Sequence, residues 1–279
     1  MNYFYFLYIY FLYNLLKQFF FYTLFEHKCI LITGGAGSLG VELAKRFLLN
    51  KNTKIILVDI NEDRLEYAKK KLPGIITEKC DITNYEACAV LIDKLLKEYK
   101  VDTLINNAGI VSKKPLLTLT DKNIEDTFKV NSLAPIYLVK LLLPYMIKEE
   151  RGHIINISSV AGLVGANKLT DYCASKFALV GFNKALRKEL FNYKNINTTL
   201  ICPYFFKSNL FKGTKGYPWP LKYFMYVYSI NEIADLIYKD IINNVTISIH
   251  PKIFGMLLQI KFIFPQFIQD KFITLGSEL

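Results

Sequence analysis

Cys29–Gly40 reads CILITGGAGSLG, and the order of its parts decides the fold. Five residues of strand type, Cys29 to Thr33, run into a turn with glycine at positions 34, 35, 37 and 40. The next stretch, VELAKRFLLN, keeps helical spacing to Asn50. Strand, glycine turn and helix in that order bring backbone N–H groups together at a helix start. Such a point suits a pyrophosphate, because glycine permits the tight turn and has no Cβ to hold the phosphates away. Thr33, Gly34, Gly37, Ser38, Leu39 and Gly40 are the candidate residues of this loop.

Reading outward, KIILVD (Lys54–Asp59) is a second strand, and Asp59 ends it 19 residues after Gly40. An acidic side chain there can accept hydrogen bonds from an adenosine ribose and repels a 2′-phosphate, which favours NAD over NADP. A third strand is read at Gly74–Cys80, and others in VDTLINNAG, GHIINISS, NTTLICP and TISIH. Helical stretches separate them: from Asn61 or Asp63 to Lys71, Tyr85–Lys100, Asp121–Glu150 with Pro135 or Pro144 as a bend, and Asn231–Asn243. About seven short strands alternating with helices predict an α/β protein with a Rossmann-type, doubly wound parallel sheet.

Thr170–Gly181 reads TDYCASKFALVG. Tyr172 and Lys176 stand four apart, so on a helix they share one face. A phenol titrates near pH ~10, and a neighbouring ammonium favours its ionised form. The pair is therefore a candidate for moving a proton to or from an alcohol oxygen. Small residues around it, Cys173, Ala174, Ser175 and Ala178, allow close packing.

With NNAG at Asn106–Gly109 and ISS at Ile157–Ser159, the chain resembles the short-chain dehydrogenase/reductase family from Lys28 to His250. The resemblance implies a catalytic tetrad of Asn131, Ser159, Tyr172 and Lys176, with Ser159 thirteen residues ahead of Tyr172. It implies Tyr172 as acid/base and Ser159 steadying charge on the substrate oxygen. Lys176 lowers the phenol pKa and holds the nicotinamide ribose, and Asn131 supports a water that links Lys176 to solvent. Asp81, Ile82 and Asn107 resemble the family's adenine-side residues, and Pro203 resembles the one near the nicotinamide. Ser38 departs from the commoner TGxxxGxG pattern, which has glycine there. DYCASKFALVGF, NNAGIVS and NTTLICPYFF further resemble the membrane-associated retinol and 17β-hydroxysteroid dehydrogenase branch. That branch implies a lipophilic alcohol or ketone (retinoid, steroid or fatty), a homodimer, and residence at the endoplasmic reticulum or lipid droplets.

The termini differ from this core. Tyr3 to Phe25 is apolar apart from a few residues, Lys17 and Gln18 among them. A span needs roughly 20 apolar residues, and a central Lys costs about 2.5–3.5 kcal/mol. Residues 1–27 are read as a membrane anchor, spanning or interfacial, 28–250 as the dehydrogenase domain, and 251–279 as an apolar tail. Tyr204–Tyr228 is strongly aromatic and is read as a substrate cover. The net charge is +11 but no Lys/Arg run concentrates it, so a solvated surface or an anionic membrane is favoured over nucleic acid. Five scattered cysteines form no C-x-x-C pair, which argues against a disulfide framework or a metal site and for a reducing compartment. Two rival readings share the chain: an NADPH-dependent carbonyl reductase, with Arg64 as a distant basic candidate, and a membrane scaffold with a silent site.

Overall fold

A computed structural model describes residues 25–206 and 227–255. The strands are β1 (Cys29–Thr33), β2 (Lys54–Asp59), β3 (Ile76–Lys79), β4 (Thr103–Asn106), β5 (Gly152–Ile157), β6 (Ile196–Pro203) and β7 (Ile247–His250). The helices are α1 (Ser38–Phe47), α2 (Glu62–Lys71), α3 (Tyr85–Glu98), α4 (Asp121–Phe128), α5 (Ala134–Lys148), α6 (Thr170–Glu189) and α7 (Ile230–Ile242). All strands are parallel, in the order β3-β2-β1-β4-β5-β6-β7. The order reverses between β1 and β4, which opens a crevice at their carboxyl ends where ligands of open α/β sheets bind.

The strands are apolar on both faces because helices cover both. Period-two alternation divides each run between two cores. Leu31, Ile56, Val58, Leu104 and Ile154 face α3, α5 and the end of α6. Ile30, Ile32, Ile55, Leu57, Ile105 and Ile155 face α1, α2 and α7.

Helix starts are set by local side chains. Asn61 accepts from Arg64 N at 2.8 Å and Asn84 from Ala87 N at 3.1 Å. Thr120 and Ser229 form reciprocal capping boxes with Asn123 and Glu232. At α1, Gly37 occupies the cap position with no side-chain cap, so the first N–H groups of that helix have no side-chain acceptor there.

Two boundaries differ from the sequence reading. The third strand is confined to Ile76–Lys79, because Gly74 takes a left-handed φ of 91° and keeps the chain in a turn. The long helical stretch is not one regular α-helix; a π-helical turn, Lys129–Leu133, just ahead of Pro135, joins α4 to α5. Asp121–Lys148 is apolar and long enough to cross a membrane, yet Leu138, Leu142 and Met146 bury it against the sheet as a core helix. Most of the expected anchor, most of the apolar tail and most of the aromatic cover lie outside the described residues.

Candidate active site

The crevice begins at the glycine turn. Gly34 has φ 57°, and a Cβ there would stand 2.8 Å from Ala108 Cα on the β4 side. At Gly40 a Cβ would stand 2.7 Å from both the Gly34 and Gly35 carbonyl oxygens. Only glycine lets the turn and α1 approach so closely. Ser38, the departure from the commoner pattern, is the exposed first residue of α1 and crowds nothing.

The turn is fixed from both sides. Thr33 Oγ1 accepts from the backbone N–H groups of Asn107 and Ala108 at 3.1 and 3.3 Å. Asn107 Nδ2 donates to the carbonyls of Thr33 and Gly34, each at 3.0 Å. From β2, Asp59 accepts the Ala36 N–H at 3.2 Å and the Asn61 N–H at 3.1 Å. Thr33 and Asn107 thus brace β1 against β4, and Asp59 sets the loop's middle. Leu39 is buried behind the loop, and Ile82 is buried in the other core. Asp81 lies one strand over, exposed, accepting from Thr83 N at 2.9 Å and Thr83 Oγ1 at 2.7 Å. A glycine cradle, an uncapped helix start and a carboxylate at the end of β2 together fit a dinucleotide.

The second half of the site lies at the ends of β4, β5 and β6. Tyr172, in the first turn of α6, is only 3% exposed. Burial pushes its phenol above the ordinary range, and a hydrogen bond with Ser159 pulls the other way. Ser159, just past β5, accepts from Ala161 N at 3.1 Å and donates to Pro203 O at 3.4 Å, tying it to the end of β6. Lys176, one turn beyond Tyr172, is also 3% exposed. Its Nζ donates to Ile157 O at 2.9 Å and stands 5.7 Å from the Tyr172 ring centroid. Burial lowers its pKa to about 8. The lysine therefore faces the ring and the end of β5, and the expected lowering of the phenol by its ammonium is not the governing influence on Tyr172.

Asn131 sits in the π-helical turn and is fully buried. Its Oδ1 accepts from Ile110 N at 2.9 Å, and its Nδ2 donates to Ile110 O at 3.0 Å and to Ser175 Oγ at 3.0 Å. A Cβ on Gly109 would lie 3.4 Å from Asn131 Oδ1 and 3.6 Å from Lys176 Nζ, so the backbone after β4 meets both side chains. π-turns inside helices recur at functional sites because one extra residue re-aims a side chain.

The structure thus brings Asn131, Ser159, Tyr172, Lys176 and Pro203 to one edge, beside the glycine turn. Asp81 and Ile82 stand farther along that edge, beyond Asp59. Sequence reasoning missed the supporting residues Ser175, Gly109 and Ile110. Ser175 lies inside TDYCASK and the other two close NNAGI, so adjacency to the motifs was the available signal. It also missed an apolar lining beside the phenol: Ala161, Leu169 and Cys173 with Val111, Ala166 and Phe205.

Parallel topology, glycine cradle and the Ser–Tyr–Lys edge define a class of dinucleotide-dependent oxidoreductase. The chain matches the short chain dehydrogenase family over residues 28–216 and belongs to it. It is an enzyme that interconverts an alcohol and a carbonyl with NAD(P). Among curated relatives, it is 37% identical over 222 residues to human epidermal retinol dehydrogenase 2, covering 76% of this chain and 72% of that one. It is 36% identical over 222 residues to bovine short-chain dehydrogenase/reductase family 16C member 6, covering 76% and 70%. It is 37% identical over 193 residues to human estradiol 17-beta-dehydrogenase 11, covering 67% and 64%. Among solved structures, a Burkholderia phymatum short chain dehydrogenase/reductase in complex with NAD superposes with TM-score 0.74 at 22% identity, covering 87% of this chain and 95% of that one. A Burkholderia cenocepacia short chain dehydrogenase in complex with NADP gives TM-score 0.75 at 19% identity, covering 89% and 98%. At these identities the two superpositions speak for the fold alone.

Proposed function

We propose that the protein oxidises or reduces a lipophilic alcohol–carbonyl pair, of retinoid, steroid or fatty type, with NAD in preference to NADP. The observation that carries this is the Tyr172 hydroxyl, buried among apolar side chains and hydrogen-bonded to Ser159, beside the glycine cradle. When bound, the dinucleotide supplies or accepts the hydride.

The side chains handle the proton and the oxygen. Tyr172 holds a proton at neutral pH, since burial raises its phenol, and gives it to a carbonyl oxygen in the reductive direction. In the oxidative direction Tyr172 must first give up that proton, and its phenolate then takes the proton of the alcohol. Ser159 steadies the charge that grows on the same oxygen. Lys176, whose pKa of about 8 lies near the working range, exchanges protons more readily than an ordinary lysine. Asn131 holds the Gly109–Ile110 backbone against it. The apolar lining of Ala161, Leu169 and Phe205 excludes water and favours a greasy substrate.

Asp59 supports the NAD preference, since a carboxylate at the end of β2 repels a 2′-phosphate. Asp81, Ile82 and Asn107 on the adenine side, and Pro203 on the nicotinamide side, complete the proposed cofactor contacts. The names of the relatives support the substrate class. The apolar sequence Tyr3–Phe25 supports attachment to the endoplasmic reticulum membrane or a lipid droplet; a homodimer is proposed on the family resemblance alone.

A panel of all-trans-retinol, estradiol and a long-chain fatty alcohol, each assayed with NAD and with NADP, tests the reading. One member is expected to turn over with kcat/KM at least about tenfold higher with NAD, a difference of about 1.4 kcal/mol. Turnover of none, or a clear preference for NADP, contradicts it.

A further inference from the structure

In a parallel α/β sheet every connecting helix ends on the edge where the strands begin. Here that amino edge collects the basic residues. Last turns carry Lys45 and Arg46 in α1, Lys69–Lys71 in α2, Lys97 in α3, Lys148 in α5, Arg187 and Lys188 in α6, and Lys239 in α7. First turns, on the opposite edge, carry the acids Glu62 and Asp63, Glu86, Asp121, Asp171 and Glu232 against two bases, Arg64 and Lys122. The positive excess of the described residues is therefore polarised along the strands.

One lysine per helix end complements the helix dipole. That does not explain three in succession at Lys69–Lys71, or the exposed Lys51 and Lys194 in turns outside the helices. Among the described residues these five make no ion pair. Acids do share the edge. Glu26, Glu149 and Asp102 pair with Lys28, Lys100 and Arg151, and Glu98, Glu150 and Glu189 dilute the positive field without reversing it. Two large apolar side chains project from the same edge, Leu49 at 79% and Phe191 at 81% exposure.

The chain enters at this edge as well. The Arg151 guanidinium stacks 4.5 Å from the Phe25 ring centroid, and Phe25 packs edge-on against His153 of β5 at 5.6 Å. The apolar sequence Tyr3–Phe25 therefore ends at the amino edge. Only Glu26 to Lys28 separate it from β1, so Phe25 lies within about 13 Å of Cys29 even when fully extended.

We propose that the amino edge docks on an anionic phospholipid bilayer, leaving the catalytic crevice on the far edge, open to water and to its soluble dinucleotide. The proposal rests on the membrane reading above and adds an orientation and a lipid class to it. Lys51, Lys69–Lys71 and Lys194 lie within the reach of the negative surface field, and Leu49 and Phe191 enter the interface. The opposite orientation would face the first-turn acids toward like charge.

The test is lysine acylation of the full chain on phosphatidylcholine vesicles with and without phosphatidylserine, read by mass spectrometry. With the serine lipid, Lys51, Lys69–Lys71 and Lys194 should react about fivefold more slowly, while Lys114 and Lys168 on the carboxyl edge stay unchanged. Salt at about 0.5 M should erase the difference. The exposed variant Lys69→Glu/Lys70→Glu/Lys71→Glu should lose the lipid-dependent protection of Lys51 and Lys194. Equal labelling on both vesicles, protection of Lys114 and Lys168 instead, protection already complete in detergent (a second protein copy), or protection by RNA and not by vesicles overturns the proposal. A chain that floats with neither vesicle contradicts the membrane reading itself.

Discussion

Tyr172 and Asn131 show two ways in which burial serves chemistry. The phenol is kept protonated by an apolar surround, while the amide is fully hydrogen-bonded and acts as a clamp. Replacing Asn131 with Ala leaves Ile110 N and O without their partner in a part-buried place, and Ser175 Oγ without its buried donor. The expected cost is about 1–3 kcal/mol of stability, with loss of turnover, measured by thermal unfolding and assay. An unchanged melting temperature would show that the Ile110 groups find other partners. Replacement by Ser shortens the side chain and should not restore either property.

At the scale of elements, the glycine turn is the piece with least tolerance. Gly34→Ala places a methyl 2.8 Å from Ala108 Cα and holds Ala at a left-handed φ. The left-handed conformation alone costs about 1–2 kcal/mol. Titration calorimetry should find NAD affinity reduced at least about tenfold, since the turn must move to relieve the contact; unchanged affinity would place the dinucleotide elsewhere. Most elements were legible in the sequence, because apolar runs such as KIILVD are too short for helices and sit between turn residues. The placement of Tyr172 beside Lys176 and the glycine turn were legible too, since spacing within TDYCASK and GGAGSLG sets which residues lie close, whereas Asn131 and Ser159 came from the family resemblance alone. The π-turn at Lys129–Leu133 was not legible. Its extra residue follows from Asn131 meeting Ile110 and Ser175, contacts distant in sequence. Nor was the stacking of His27 on His153, which depends on β1 and β5 starting at the same level.

For the whole molecule, that histidine pair sets an acid limit. The rings of His27 and His153 stack at 5.3 Å, and His27 and His153 accept or donate one hydrogen bond each, to Thr103 and Thr199. Burial, with Arg151 nearby, lowers His27 to about 4, and burial beside His27 lowers His153 as well. An unfolded His binds its proton near pH ~6.5. Between that value and about 4 the unfolded chain holds more protons, so stability is full above pH 6.5 and falls as pH drops. His27 alone accounts for about 3 kcal/mol. Denaturant titrations at pH 7 and pH 5 should show about 2 kcal/mol of that loss, and His27→Gln should reduce the difference; equal stabilities would contradict the burial argument. The account stands or falls, however, on the phenol. Tyr172→Phe removes one oxygen from a buried site and should leave folding and NAD binding intact. Measured as NADH formed from the active alcohol, its kcat should fall by about 10²–10⁴, and turnover at the wild-type rate with NAD bound would contradict the assignment of Tyr172 as the acid/base.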